Sequence, residues 1–158
     1  ERHPNLVVTR TFSKAYGLAG LRVGFGLMHA DVADLLNRVR QPFNVNSLAL
    51  PAAAAALSDR KFVARSYALN RSGMRRLERG FEKLGIEYIP SCANFVSFRV
   101  PQRNGTPQAG PVYEKLLRQG VIVRPIAGYG MPDHLRVTVG LPAENERFLK
   151  ALRTALED

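Results

Sequence analysis

In the stretch TRTFSKAYGLAGLRVGFG, residues 9–26, Lys14 stands between Ser13 and Ala15, and Arg22 follows eight positions later. A lysine amine is a poor nucleophile while protonated, and its reference pKa is near 10.4. It becomes useful for Schiff-base chemistry when its surroundings desolvate it. Phe12, Ala15 and Leu18 are the neighbours expected to do so. Thr11 and Ser13 bring hydroxyl donors, and Arg22 brings a planar donor fork suited to a phosphate dianion. An imine-forming amine, two hydroxyls and a guanidinium together describe a site for a phosphorylated aldehyde. The plainer alternative is a solvated lysine in a glycine-rich turn.

The order hydroxyl residue, any residue, Ser, Lys, with Arg eight positions on, resembles the lysine segment of fold-type I pyridoxal-phosphate aminotransferases. The resemblance implies that Lys14 is the Schiff-base lysine and the proton shuttle. It makes Thr11, Ser13 and Arg22 the holders of the cofactor phosphate. GVIVRPIAGYGMPDHLRVTVG, residues 120–140, is similar to the family's small-domain strands. There Arg136 is implied to pair with the substrate α-carboxylate, and Arg124 with a substrate phosphate, as in the family's histidinol-phosphate branch. SCANFVSF (91–98) puts Asn94, and FNVNSLA (43–49) puts Asn46, among the candidate substrate contacts. Either asparagine could instead hold loop backbone, and either arginine could be an ordinary exposed strand residue.

The activity implied is exchange of an amino group between histidinol phosphate and 2-oxoglutarate in histidine biosynthesis, by a cytoplasmic homodimer acting on small-molecule substrates. Other activities of the same fold type stay open, among them aromatic or general aminotransferases and threonine-phosphate decarboxylase. In the family a glycine-rich phosphate loop, a ring-stacking aromatic and an Asp for the pyridine nitrogen all precede the lysine. Only 13 residues precede Lys14. The chain is therefore expected to be a C-terminal portion, inactive by itself because the ring would lack its electron-sink partner.

The elements that must position these residues follow from periodicity. Residues 5–12 and 21–28 read as strands, and 31–41 as a helix capped by Asp31. A buried alanine-rich helix is expected over 48–57, then a long helix over 60–84 capped by Asp59 and stopped by Gly85. Beyond it, 86–91, 94–100, 120–126 and 135–140 read as strands, with helices at 111–120 and 142–157. The expected fold is α/β. It comprises the end of a large domain (1–58), a connecting helix (59–84) and a small α/β sandwich domain (85–158).

Composition narrows the class. The 158 residues are 46% hydrophobic and 23% charged, as in a globular protein. The longest apolar run, SLALPAAAAALS, is too short for a membrane span and holds Pro51, so no membrane partner is expected. One cysteine, Cys92, fits a reducing compartment and reads as a small buried residue. His3, His29 and His134 lack metal spacing and read as surface or turn residues, so no metal is expected. A net charge of +10, concentrated on the helix 60–83, raises a second class of function, a nucleic-acid-binding module. Arg71, Arg75 and Arg79 form a stripe there, but no nucleic-acid motif or aromatic platform accompanies it, and a solvated face is the expected reading.

Overall fold

A computed structural model of the chain describes residues 3–157. It comprises two compact units: the first runs to Tyr67 and the second starts at Ala68, so the chain passes between them inside one long helix.

In the first unit β1 (Val8–Thr11) pairs antiparallel with β2 (Gly24–Leu27), with Val8 opposite Leu27 and Thr11 opposite Gly24. α1 (Ala30–Val39) and α2 (Ala49–Ser58) follow. Phe12, Val23, Ala49 and Ala53 form the buried centre, with Tyr16, Leu18 and Val45 packed on it. α1 starts one residue before the sequence suggests. His29, in an extended conformation, is the N-cap and its Nδ1 accepts from the Asp31 N–H. Asp31 instead lies in the first turn, where its charge favours the helix dipole. The expectation that α2 is buried holds for one stripe only: Ala49 and Ala53 are buried, while Leu48, Leu50 and Leu57 are exposed.

α3 (Arg60–Lys83) begins as its sequence implies, with the Phe62 N–H donating to Asp59 Oδ1 at 2.9 Å. It ends at Gly85, whose φ of 66° lets the chain reverse so that the Ile86 N–H reaches the Phe81 carbonyl.

The second unit has a four-stranded antiparallel sheet in the order β3-β4-β6-β5. Its strands are β3 (Tyr88–Ile89), β4 (Phe95–Arg99), β5 (Arg124–Pro125) and β6 (His134–Thr138). Alternation sorts the two faces. Val96, Phe98, Leu135 and Val137 point into a core completed by α3, α4 (Ala109–Arg118) and α5 (Pro142–Glu157). Phe81 stacks on Phe98 at 5.0 Å, and Phe148 meets both rings edge-on. The strand expected over 120–126 pairs only at Arg124–Pro125. Val121 and Val123 are buried in the core without ladder partners, the Val121 N–H donating to the Leu116 carbonyl of α4. Pro125 has no N–H to give, and past it one further bond runs from the Ile126 N–H to the His134 carbonyl at 3.4 Å.

Candidate active site

The β1–β2 hairpin presents the lysine segment. Beyond Thr11 the ladder continues for one more residue, the Phe12 N–H donating to the Val23 carbonyl at 3.1 Å. The Phe12 ring is buried against Tyr16 and Phe25, which anchors the start of the turn. The turn is closed by bonds from the Gly17 N–H to the Lys14 carbonyl and from the Leu18 N–H to the Phe12 carbonyl, both 2.9 Å. Lys14 is thereby lifted onto the surface. This corrects the expected desolvation: Phe12 faces the core, Ala15 is exposed, and Leu18 packs under the turn.

Arg22 has φ 52°, in the left-handed region that is costly for a residue with a Cβ. Its Nη1 donates to the Ala19 carbonyl at 2.8 Å and to Ser13 Oγ at 3.3 Å. Thr11 Oγ1 accepts the Ser13 N–H at 3.1 Å, which leaves its own hydroxyl proton free to donate outward. Among the described residues no carboxylate pairs with Arg22 or Lys14. A guanidinium and two hydroxyls with no opposing acid among the described residues, in the turn that carries a lysine, make a cradle of donors of the kind that suits a phosphate dianion. Gly24 is needed for this shape, because a Cβ there would lie 2.6 Å from the Arg10 carbonyl oxygen.

Asn46 supports the cradle from the loop before α2. Its Nδ2 donates to the Leu21 carbonyl at 3.1 Å and its Oδ1 accepts the Ala49 N–H at 2.9 Å. Both ends of the amide hold backbone, directly beside Arg22.

A second group lies in the second unit, on the sheet face opposite its core. Arg136 of β6 stands in register between Ser97 of β4 and Arg124 of β5. Its guanidinium carbon sits 4.5 Å from the centre of the Phe95 ring. Arg99, on the same face, is matched by Glu87 at 3.2 Å, but among the described residues neither Arg124 nor Arg136 has an acidic partner. Like charges directly across a ladder repel, and an anion between them reverses the sign. Asn94 precedes β4, and its carbonyl accepts the Val139 N–H at 2.9 Å, joining the ends of β4 and β6.

Two expectations are corrected. Cys92 is exposed, in the bend before β4. His134 is a half-buried strand residue, opposite Arg99, rather than a surface or turn residue. A polar residue that the sequence did not single out, Asn145, is 3% exposed and exchanges two 2.9 Å hydrogen bonds with the Gly140 backbone. Only its position early in α5, after a glycine, hinted at this.

The profile of the class I and II aminotransferases matches residues 1–152. Histidinol-phosphate aminotransferase 2 of Nitrosospira multiformis is 64% identical over 157 residues, which are 99% of this chain and 39% of that protein. The crystal structure of histidinol-phosphate aminotransferase from Sinorhizobium meliloti, in complex with pyridoxal-5'-phosphate, matches with a TM-score of 0.86 at 27% identity. The match covers 98% of this chain and 42% of that one. L-threonine-O-3-phosphate decarboxylase from Porphyromonas gingivalis matches with a TM-score of 0.83 at 27% identity, covering 98% of this chain and 48% of its own. The chain spans about two fifths of the length of the curated relatives it matches. With the profile running through both units, and a fold shared with fold-type I enzymes, the chain belongs to the class I and II aminotransferases.

Proposed function

We propose that this chain contributes the cofactor lysine and the anion clamps of a pyridoxal-phosphate-dependent histidinol-phosphate aminotransferase. The full-length enzyme would pass the amino group to 2-oxoglutarate in histidine biosynthesis. The observation that carries the reading is the Thr11, Ser13 and Arg22 cradle in the turn of Lys14, with no carboxylate to compete for it. The donor set fits a phosphate dianion, so the residues present suit the cofactor. The 64% identity to a protein of that name supports the substrate.

Bound there, pyridoxal phosphate would supply an electron-withdrawing ring that stabilises negative charge left at the substrate Cα. Arg22 and the two hydroxyls would hold its phosphate. Lys14 would bond its aldehyde, yield that position to the donor amine, and then carry the proton at Cα as general base and acid. Arg136, its plane supported by Phe95, would take a carboxylate through two parallel hydrogen bonds, and Arg124 beside it a second anionic group. Asn46 and Asn94 would shape the substrate side through the backbone they hold.

The reading extends to a cytoplasmic homodimer, with small molecules rather than nucleic acid as substrates. A lone cysteine suits that compartment. Apolar side chains exposed in the first unit suit burial against more protein, Phe43 being 97% exposed and Val39 77%. The similarity to a threonine-phosphate decarboxylase keeps that reaction as a second reading, since its substrate also bears a phosphate and a carboxylate. Carbon dioxide release from threonine phosphate by the full-length enzyme, without amino transfer from histidinol phosphate, would select it.

The direct test uses the 158-residue chain. It is incubated with pyridoxal phosphate, reduced with borohydride, and its five lysines mapped by peptide mass spectrometry. Selective modification of Lys14, lost in Arg22→Ala, is the expected result. Modification spread evenly over Lys61, Lys83, Lys115 and Lys150 would remove the cradle as a cofactor site of this chain.

A further inference from the structure

The second unit contains a cationic groove that the aminotransferase reading does not use. Arg76, Arg79 and Lys83 recur at helical spacing on α3, and Lys150 and Arg153 do so on α5, facing one another across a cavity of 490 Å³. That volume lies within the usual range for small-ligand sites. Among the described residues that line it the groove contains one acid, Glu146, whose carboxylate is engaged by Arg76 Nη1 at 3.3 Å. Among the described residues Arg79 spends only its Nε, on the Arg75 carbonyl, which leaves the end of its fork without a partner there. Among the described residues Lys83, Lys150 and Arg153 have no carboxylate partner.

The walls meet closely because Gly80 lies under Leu149, where a Cβ would collide with the leucine Cδ2. Leu84 and Leu149 supply an apolar strip between the two cationic walls. A smaller cavity of 170 Å³ continues the groove past Arg76 and Arg79 towards Gly140 and Asn145. Five cations converging on one strip with a single acid repel one another, and a compact ligand of several negative charges relieves that repulsion. An uncharged portion of the same ligand would meet the half-buried Leu84 and Leu149 side chains.

We propose that the α3–α5 groove is a binding site for a nucleoside polyphosphate. Its phosphates lie between Arg79, Lys83, Lys150 and Arg153, and its base lies along Leu84 and Leu149. The site shares no residue with the Lys14 cradle or with the Arg124–Arg136 pair, and the proposal stands whether or not the aminotransferase reading does.

The test is isothermal titration calorimetry of the 158-residue chain with adenosine triphosphate, inorganic tripolyphosphate and adenosine. Adenosine triphosphate should bind with one site per chain and weaken as salt rises from 50 to 300 mM, with tripolyphosphate weaker and adenosine weaker still. Arg79→Ala/Lys150→Ala/Arg153→Ala should lose affinity at least tenfold. Glu146→Gln should gain about two- to fivefold, the scale of one exposed charge. Lys61→Ala/Arg65→Ala, which also removes cations from α3, should change nothing. A urea midpoint for each variant establishes that it is folded, and the single Lys150→Glu variant, expected to weaken binding, repeats the measurement with less perturbation.

Equal losses in the Lys61/Arg65 variant would reduce the effect to net charge and overturn the proposal. Loss in Lys14→Ala/Arg22→Ala, with the groove variants unaffected, would place the anion in the β1–β2 turn and overturn it as well. Duplex DNA displacing adenosine triphosphate at equal phosphate concentration would replace it with a nucleic-acid surface.

Discussion

Arg22 occupies a left-handed conformation that costs a non-glycine residue on the order of 1–2 kcal/mol. The strain is held by two bonds from its own Nη1 and by Asn46, which fixes the preceding carbonyl. Asn46→Ala removes that tie and the bond to the Ala49 N–H at the start of α2. The first unit should lose about 1–2 kcal/mol in urea unfolding, and borohydride labelling of Lys14 should fall with it. Arg22→Lys keeps the charge without the fork and should also lower that labelling, because one ammonium cannot replace a planar double donor.

Tyr88 provides a pH signature at the same scale. Burial raises its pKa above the ordinary phenol value, helped by its 3.1 Å hydrogen bond to Glu82 and the charges of Glu82 and Glu78. The folded protein therefore holds this proton at pH values where the unfolded chain releases it. The contribution to stability is complete below about pH 10 and is lost as pH rises from there through the raised value. Tyr88→Phe should flatten the decline in urea midpoint above about pH 10, and leave the region below it nearly unchanged.

At the scale of elements, two helical glycines should respond differently to alanine. A Cβ at Gly73 of α3 would collide with the stiff Val139 side chain and come within 2.9 Å of Asn145 Nδ2, disturbing the buried Asn145–Gly140 bonds. Gly73→Ala should destabilise the second unit by roughly 1–3 kcal/mol despite alanine's better helix propensity. At Gly110 in α4 a Cβ meets nothing within 4 Å beyond its chain neighbours, but Pro111 follows, and proline crowds the Cβ of a helical residue before it. The gain in helix propensity is offset there, and Gly110→Ala should change stability by less than about 1 kcal/mol. Chemical denaturation of the two variants checks the difference.

The elements that the sequence placed well are those whose signals are local. α3 is bounded by an Asp59 cap and a Gly85 stop, and α5 opens on Pro142, an allowed first residue. β5 was overextended because Val121 and Val123 have strand composition, while their partners are the helices of the core rather than a neighbouring strand. His29 took the cap expected of Asp31 because backbone conformation, and not residue preference, decides which of two adjacent polar residues closes a helix.

The two units should unfold separately. The buried centre of the first is Phe12, Val23, Ala49 and Ala53, two of them alanines, whereas the second buries a continuous cluster from Met74 to Ala155 that includes Phe81, Phe98 and Phe148. Buried apolar area sets most of the stability difference. Hydrogen exchange followed by mass spectrometry should show the Phe12 and Leu18 amides of the first unit exchanging well before those of Phe98 and Leu135 in the second. Identical rates in both would mean one cooperative unit.

By itself the sequence determined which side chains the lysine turn brings together. Lys14, Ser13, Thr11 and Arg22 lie within twelve residues, and a hairpin with small residues brings such neighbours together whatever surrounds it. The sequence also determined which face of each core strand is apolar. Tertiary structure decided the rest, since contacts between distant residues have no local signature. Arg124 and Arg136 become an unopposed pair only through the β5–β6 register, and Phe95 meets Arg136 only through β4. Asn46 reaches Leu21 across 25 residues, and the cations of α3 and α5 line one groove because Gly80 lets the helices close on Leu149.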